Sequence, residues 1–119
     1  MDWKLDNGRP IWPQLSQQLA RRILAGEYPP GSRLPTVREL AAEAGVNPNT
    51  MQRALAQLEQ DGLARADRTA GRQVPQDAAV LEAVRSREAQ AVIRQYFEAM
   101  SALGYSKERA AELLKEELQ

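Results

Sequence analysis

"TVRELAAEAGVNPNTMQRALAQLEQDG", residues 36–62, divides at one glycine into two helical halves. Thr36 and Glu39 have the T-x-x-E spacing of a capping box, in which each side chain satisfies a backbone N–H of the first turn. Val37, Leu40 and Ala41 supply an inward face. Gly45 then ends the helix, because glycine takes positive φ at no steric cost. Asn47 is a good N-cap for the next helix and Pro48 a good first helical residue. Met51, Ala54, Leu55 and Leu58 fall on one buried stripe, and Gly62 closes the helix. Asn49, Thr50, Gln52 and Arg53 are left free to face outward at its start.

Two helices joined by a three- to four-residue glycine turn are a helix-turn-helix. In that motif the first helix braces the second, whose N-terminal residues meet base edges and phosphates in the major groove. Asn and Gln can make two hydrogen bonds to adenine and Arg two to guanine, while Thr or a free helix N-terminus can hold a phosphate. Asn47 is therefore a candidate DNA contact along with Asn49, Thr50, Gln52 and Arg53. A plainer account stands beside this one. Capping alone explains Asn47 and Pro48, and capped helix pairs with polar starts occur in ordinary helical proteins. The pair by itself leaves both open.

Ahead of this pair, "DNG" at 6–8 signals a turn, and "RPIWP" is extended because residues before proline avoid the helical region. Residues 1–12 therefore read as irregular. From Pro13, Leu15, Leu19 and Ile23 recur every four residues as a helix face, and Gly26 follows its end. Trp12 reads as core packing against that helix, Trp3 as a surface anchor or an interface residue, and Arg21 and Arg22 as solvated, with a backbone contact by one of them as the alternative. "YPPGSRLP" (28–35) is a loop by composition. After Gly62, "LARAD" and "RQV" are short strand candidates joined by "RTAG", a hairpin that would form a wing carrying Arg68 and Arg72. Pro75 ends the unit. A long helix starts near residue 78, with Ala89, Val92, Ile93, Tyr96, Phe97, Met100 and Leu103 at spacings of three and one. Gly104 breaks it, and Ser106 caps a last helix with Ala110, Leu113, Leu114 and Leu118 on one side. The expected fold is mainly α: a winged helix-turn-helix domain over residues 1–76, then a C-terminal two-helix dimerisation segment over 77–119.

Composition narrows the chemistry. The 119 residues contain no cysteine and no histidine, which removes disulfides, thiolate metal sites, the commonest metal ligand and every Ser-His or Cys-His nucleophile. No cofactor or metal is expected. Glu108, Glu112, Glu116 and Glu117 sit among lysines and arginines as solvated charge, not isolated in apolar surroundings as an acid–base pair would be. An enzyme is therefore not expected. No apolar run approaches the roughly 20 residues of a membrane span, and the N-terminus lacks the pattern of a secretion signal, so a cytoplasmic protein is the expectation. Sixteen basic and sixteen acidic side chains balance. Residues 1–76 hold ten Lys/Arg against eight Asp/Glu, a net +2, and residues 77–119 hold six against eight, a net −2. Any basic face is local and lies in the first part of the chain. Aromatic content of 5% is low for the stacking platforms of single-strand binders.

"PPGSRLPTVRELAAEAGVNPNTMQRALAQLEQDGLARADRTAGRQV", with "PIWPQL" and "AGEYPPG" before it, resembles the DNA-binding domain of GntR-family bacterial transcription regulators over about residues 10–75. The short remainder, about 40 residues, resembles the YtrA-like subfamily, whereas most of the family carries a large effector-binding domain there. The resemblance implies that Arg38 contacts DNA and that Asn49, Thr50 and Gln52 are recognition-helix contacts, with Arg53 in the same stretch. The plainer account of Arg38 is a residue of the first helical turn paired with a nearby acid on the surface. The wing departs from the family pattern: Thr69 stands at its first glycine and Gln73 at its aromatic, while Gly71 is kept. Minor-groove contact by the wing is thereby left open, and Arg68 and Arg72 are phosphate contacts or solvated hairpin residues. The subfamily often controls operons for membrane transporters, which implies a type of target.

Two helices cannot bury Val92, Ile93, Tyr96, Phe97, Met100, Leu103, Leu114 and Leu118 against each other alone. Two solutions exist: the pair folds back on its own DNA-binding domain, or it packs on the same pair from a second chain. The second is the expectation, because a symmetric dimer would set two recognition helices on two half-sites of a palindromic operator. The expected function is a homodimeric, sequence-specific DNA-binding transcriptional regulator, a repressor, with the second helix of the pair in the major groove. The alternative is a winged-helix module that binds protein without specific DNA binding. Regulation has three open routes: an unidentified small-molecule effector at the dimer interface, competition for DNA, or protein level alone.

Overall fold

The computed structural model describes residues 3–67 and 71–119. Five helices and one hairpin follow in the order α1 (Ile11–Leu24), α2 (Val37–Ala44), α3 (Pro48–Gln60), β1 (Arg65–Asp67), β2 (Gly71–Gln73), α4 (Ala78–Ala102) and α5 (Lys107–Glu117). The chain divides into two compact units, Met1–Val84 and Arg85–Gln119.

In the first unit α3 packs on both α1 and α2. Leu15, Leu19 and Ile23 of α1, Leu40 of α2, and Met51, Leu55 and Leu58 of α3 are at most 2% exposed. Leu63 and Val74 extend this core under the hairpin, and Leu81 and Val84 from the start of α4 close it. Asp77 opens α4 by accepting a hydrogen bond from the Ala79 N–H (2.9 Å).

The helix α1 starts two residues earlier than the sequence pattern implied. Pro10 holds the N-cap position with extended backbone, and Pro13 sits in the first turn. The first four N–H groups of a helix have no internal acceptor, so a proline there loses no bond. The segment preceding α2 also differs from the loop expected of "YPPGSRLP". The Leu34 N–H donates to the Arg72 carbonyl (2.9 Å), the Val74 N–H to the Ser32 carbonyl (2.9 Å), and the Gly31 N–H to the Val74 carbonyl (2.9 Å). These bonds add a short third rung to β2, with Arg33 bridged to Gln73. On its other side β2 pairs antiparallel with β1, Arg65 opposite Gln73 and Asp67 opposite Gly71.

In the second unit, Gly104 takes a φ of 96° after α4 ends, and the Ser106 hydroxyl accepts from the Arg109 N–H (3.1 Å) to start α5. The Tyr96 hydroxyl donates to the Ala110 carbonyl (2.7 Å), tying α4 to α5. Arg109 pairs with Glu112 (3.0 Å) and Glu116 (2.9 Å), and these bonds hold its pKa above the usual arginine value.

Candidate nucleic-acid interface

The capping chemistry of the helix-turn-helix is all present. The Thr36 hydroxyl accepts from the Glu39 N–H (3.1 Å), and the Thr36 N–H donates back to the Glu39 carboxylate (3.4 Å). Gly45 turns the chain with a φ of 69°, in the left-handed region where a side chain is strained. The Asn47 Oδ1 accepts from the Asn49 N–H (2.7 Å), so this atom of Asn47 is used for capping. Beyond it α3 has two unlike faces. Met51, Ala54, Leu55 and Leu58 are fully buried, while Asn49, Gln52, Arg53, Ala56 and Gln60 are exposed and Thr50 is half-buried. The exposed set recurs at three- and four-residue spacings, which places it on one side of the helix. That side is polar, offers donors and acceptors, and carries one cation.

Arg38, in the first turn of α2, is exposed and has no hydrogen-bond or ion-pair partner among the described residues. Arg53 is exposed too, with its guanidinium carbon 4.6 Å from the centroid of the Trp12 ring. Trp12 is thus a half-buried residue of α1 itself, where the sequence suggested core packing against that helix. Arg72 is bound inward: its Nε donates to the Glu59 carboxylate, joining the wing to the end of α3. Its side chain is only 18% exposed. Arg68 lies outside the described residues. Arg33, which sequence reasoning passed over, stands exposed beside the wing, 3.8 Å from where a Cβ on Gly71 would be. Only its pairing with β2 marks it as part of this surface.

An N-terminal arm, also unforeseen, lies along α1. The Gln18 Oε1 accepts from the Lys4 N–H (3.0 Å) and its Nε2 donates to the Lys4 carbonyl (2.7 Å). Gln14, one turn earlier, does the same to Asp6, at 2.7 and 2.8 Å. Two side-chain amides therefore act as a strand partner for alternate residues of the arm. Trp3 anchors its start. The Arg22 guanidinium carbon lies 4.0 Å from the Trp3 ring centroid, and Glu43 accepts from both Arg22 (3.1 Å) and the Trp3 indole (3.3 Å). Arg22, expected to be solvated, is 7% exposed. It lies three residues after Leu19 and seven after Leu15, on the inward stripe of α1. The carboxylate and ring face offset part of the cost of its burial, while its Nη2 is buried without a hydrogen-bond partner among the described residues. The Gly8 N–H and the Arg9 guanidinium hold the Asp6 carboxyl below the usual carboxylate range. Asn7, Gly45, Asn47 and Thr50 border an open cleft of about 490 Å³ between the arm and the start of α3.

The second unit leaves apolar side chains outside. Val92 and Ile93 are 52% exposed, Leu103 73% and Leu114 45%. Phe97 and Met100 are half-buried, as is Tyr96, which is spent on the α5 backbone. Among the described residues no acidic cluster could hold a metal ion, and no helix is long and apolar enough to cross a membrane.

The family described as bacterial regulatory proteins, gntR family, matches residues 13–74. YhcF of Bacillus subtilis, an uncharacterised HTH-type transcriptional regulator, is 31% identical over 115 residues, 97% of this chain and 95% of that protein. YtrA of Bacillus subtilis, an HTH-type transcriptional repressor, is 39% identical over 69 residues, 58% of this chain and 53% of YtrA. A solved GntR family transcriptional regulator from Listeria monocytogenes superposes with a TM-score of 0.85 at 32% identity, covering 94% of this chain and 98% of that one. These relatives are transcription regulators, not enzymes, and the winged helix-turn-helix architecture is theirs.

Proposed function

The chain belongs to the gntR family of bacterial regulatory proteins, and from that premise we propose that it is a cytoplasmic transcriptional repressor that binds a palindromic operator as a homodimer. The observation that carries this reading is the division of α3, which buries Met51, Leu55 and Leu58 completely while exposing Asn49, Gln52 and Arg53. A packed inner stripe fixes the helix rigidly enough for its outer side chains to discriminate bases. In this reading α3 lies in the major groove, with Asn49 and Gln52 on base edges, and Thr50 and the Asn47 side-chain amide toward the backbone. Arg38 adds a free cation from the bracing helix. Arg72 serves mainly as the brace between wing and α3, because Glu59 already neutralises it. Arg68 retains the role of a wing phosphate contact.

Dimerisation is assigned to the second unit, through Val92, Ile93, Phe97, Met100, Leu103 and Leu114, with Tyr96 supporting the helical pair from within. The repressor role is supported by the likeness to YtrA. Two α3 helices held roughly 34–36 Å apart would engage successive major grooves on one face of the duplex.

Gln52→Ala tests the base-reading part of this account. Removing a bidentate contact costs about 1–3 kcal/mol at the cognate base and little elsewhere. Selection of duplexes with the variant is expected to recover the same motif with one position relaxed in each half-site. An equal loss on all sequences would contradict base reading by Gln52.

A further inference from the structure

Trp12 and Arg53 come from different helices and meet at the edge of the surface described above. The turn that carries Trp12 is fixed: Gln14, two residues on, is 8% exposed and its amide donates to the carbonyls of Asp6 (2.8 Å) and Pro10 (3.0 Å). The 4.6 Å separation of the guanidinium from the ring centroid is inside the roughly 6 Å over which an aromatic face attracts a cation. Arg53 has no carboxylate partner among the described residues. Arg72 gives the contrast, since its carboxylate partner holds it and cancels its charge in one contact. An indole face holds a guanidinium flat, leaves its charge intact and leaves its N–H edge free for a phosphate or a guanine. It also limits the rotamers that a long side chain would lose on binding.

We propose that Trp12 is a positioning residue for DNA recognition, its ring seating Arg53 so that the guanidinium is presented to the duplex. The inference rests on the reading of α3 as the DNA-contacting helix. It is tested on a duplex recovered by selection from a random library, with Arg53→Ala, Trp12→Leu, their combination, and Trp12→Phe. Arg53→Ala is expected to lower affinity about tenfold and Trp12→Leu about fivefold, with no further loss when Trp12→Leu is added to Arg53→Ala. Trp12→Phe, which keeps an aromatic face, is expected to stay within about twofold of the parent. An equal Trp12→Leu penalty with and without Arg53 would show that Trp12 acts through general packing and would overturn the proposal. So would a fully active Arg53→Ala protein. Failure to recover any motif with the parent protein would instead fall on the DNA-binding reading beneath it. A second measurement needs no change at position 12. In a Trp3→Phe background Trp12 is the sole tryptophan, and Arg53→Ala is expected to alter its emission; unchanged emission would mean that the seat does not form in solution.

Discussion

Arg38→Ala is expected to lower operator affinity by about a hundredfold while leaving the melting temperature unchanged. The size follows from charge-assisted hydrogen bonds, which contribute about 1.5–3 kcal/mol each. The unchanged stability follows from the structure, where Arg38 is exposed and has no partner among the described residues to lose. A residue this free is available for a ligand. Titration of a labelled operator duplex with parent and variant, alongside thermal melts, reads both quantities. If Arg38 meets a phosphate, the slope of log K against log salt should also fall by about 0.9. Unchanged affinity would remove Arg38 from the interface.

Phe97→Asp is the second large effect, and it acts through dimerisation. Phe97 stands edge-on to Tyr96, with centroids 5.4 Å apart, and it shares an apolar groove with Ile93. In a two-fold interface the same patch serves both chains, so one substitution places a carboxylate on each side. Light scattering is expected to show a monomer. The operator is then held by one half-site contact at a time, and affinity should fall by about 10²–10⁴, the advantage of linking two binding events. The Tyr96–Ala110 bond can keep the helical pair folded in the variant. A stable dimer with full affinity would place the interface elsewhere.

The helix-turn-helix was legible because its signals are local. The Thr36–Glu39 capping box, Gly45 and Asn47–Pro48 each act within a few residues of themselves, and each appears in the structure as its spacing implied. The hairpin was legible for the same reason, as was the break at Gly104 with its Ser106 cap. What escaped depends on partners far along the chain. Nothing near Leu34 shows that its N–H will find the Arg72 carbonyl. Arginine is usually solvated, so Arg22 looked exposed until Trp3 and Glu43 closed over it. Pro13 looked like a helix start because proline favours the first turn, and Pro10 stood too close to separate from it. Within the candidate site, the exposed face of α3 could be read from periodicity alone. The Trp12–Arg53 stack and the Arg72–Glu59 pair could not, since each joins side chains on different elements.

Operator binding is tested most directly by selecting bound duplexes from a random library and following the recovered motif's affinity against salt. Specific binding by a dimer predicts a palindrome with half-sites about 10–10.5 base pairs apart and a steep fall of log K with log salt, about 0.9 for each phosphate neutralised. No enriched motif from a folded protein, or a shallow salt slope, would contradict operator binding and point to a protein partner.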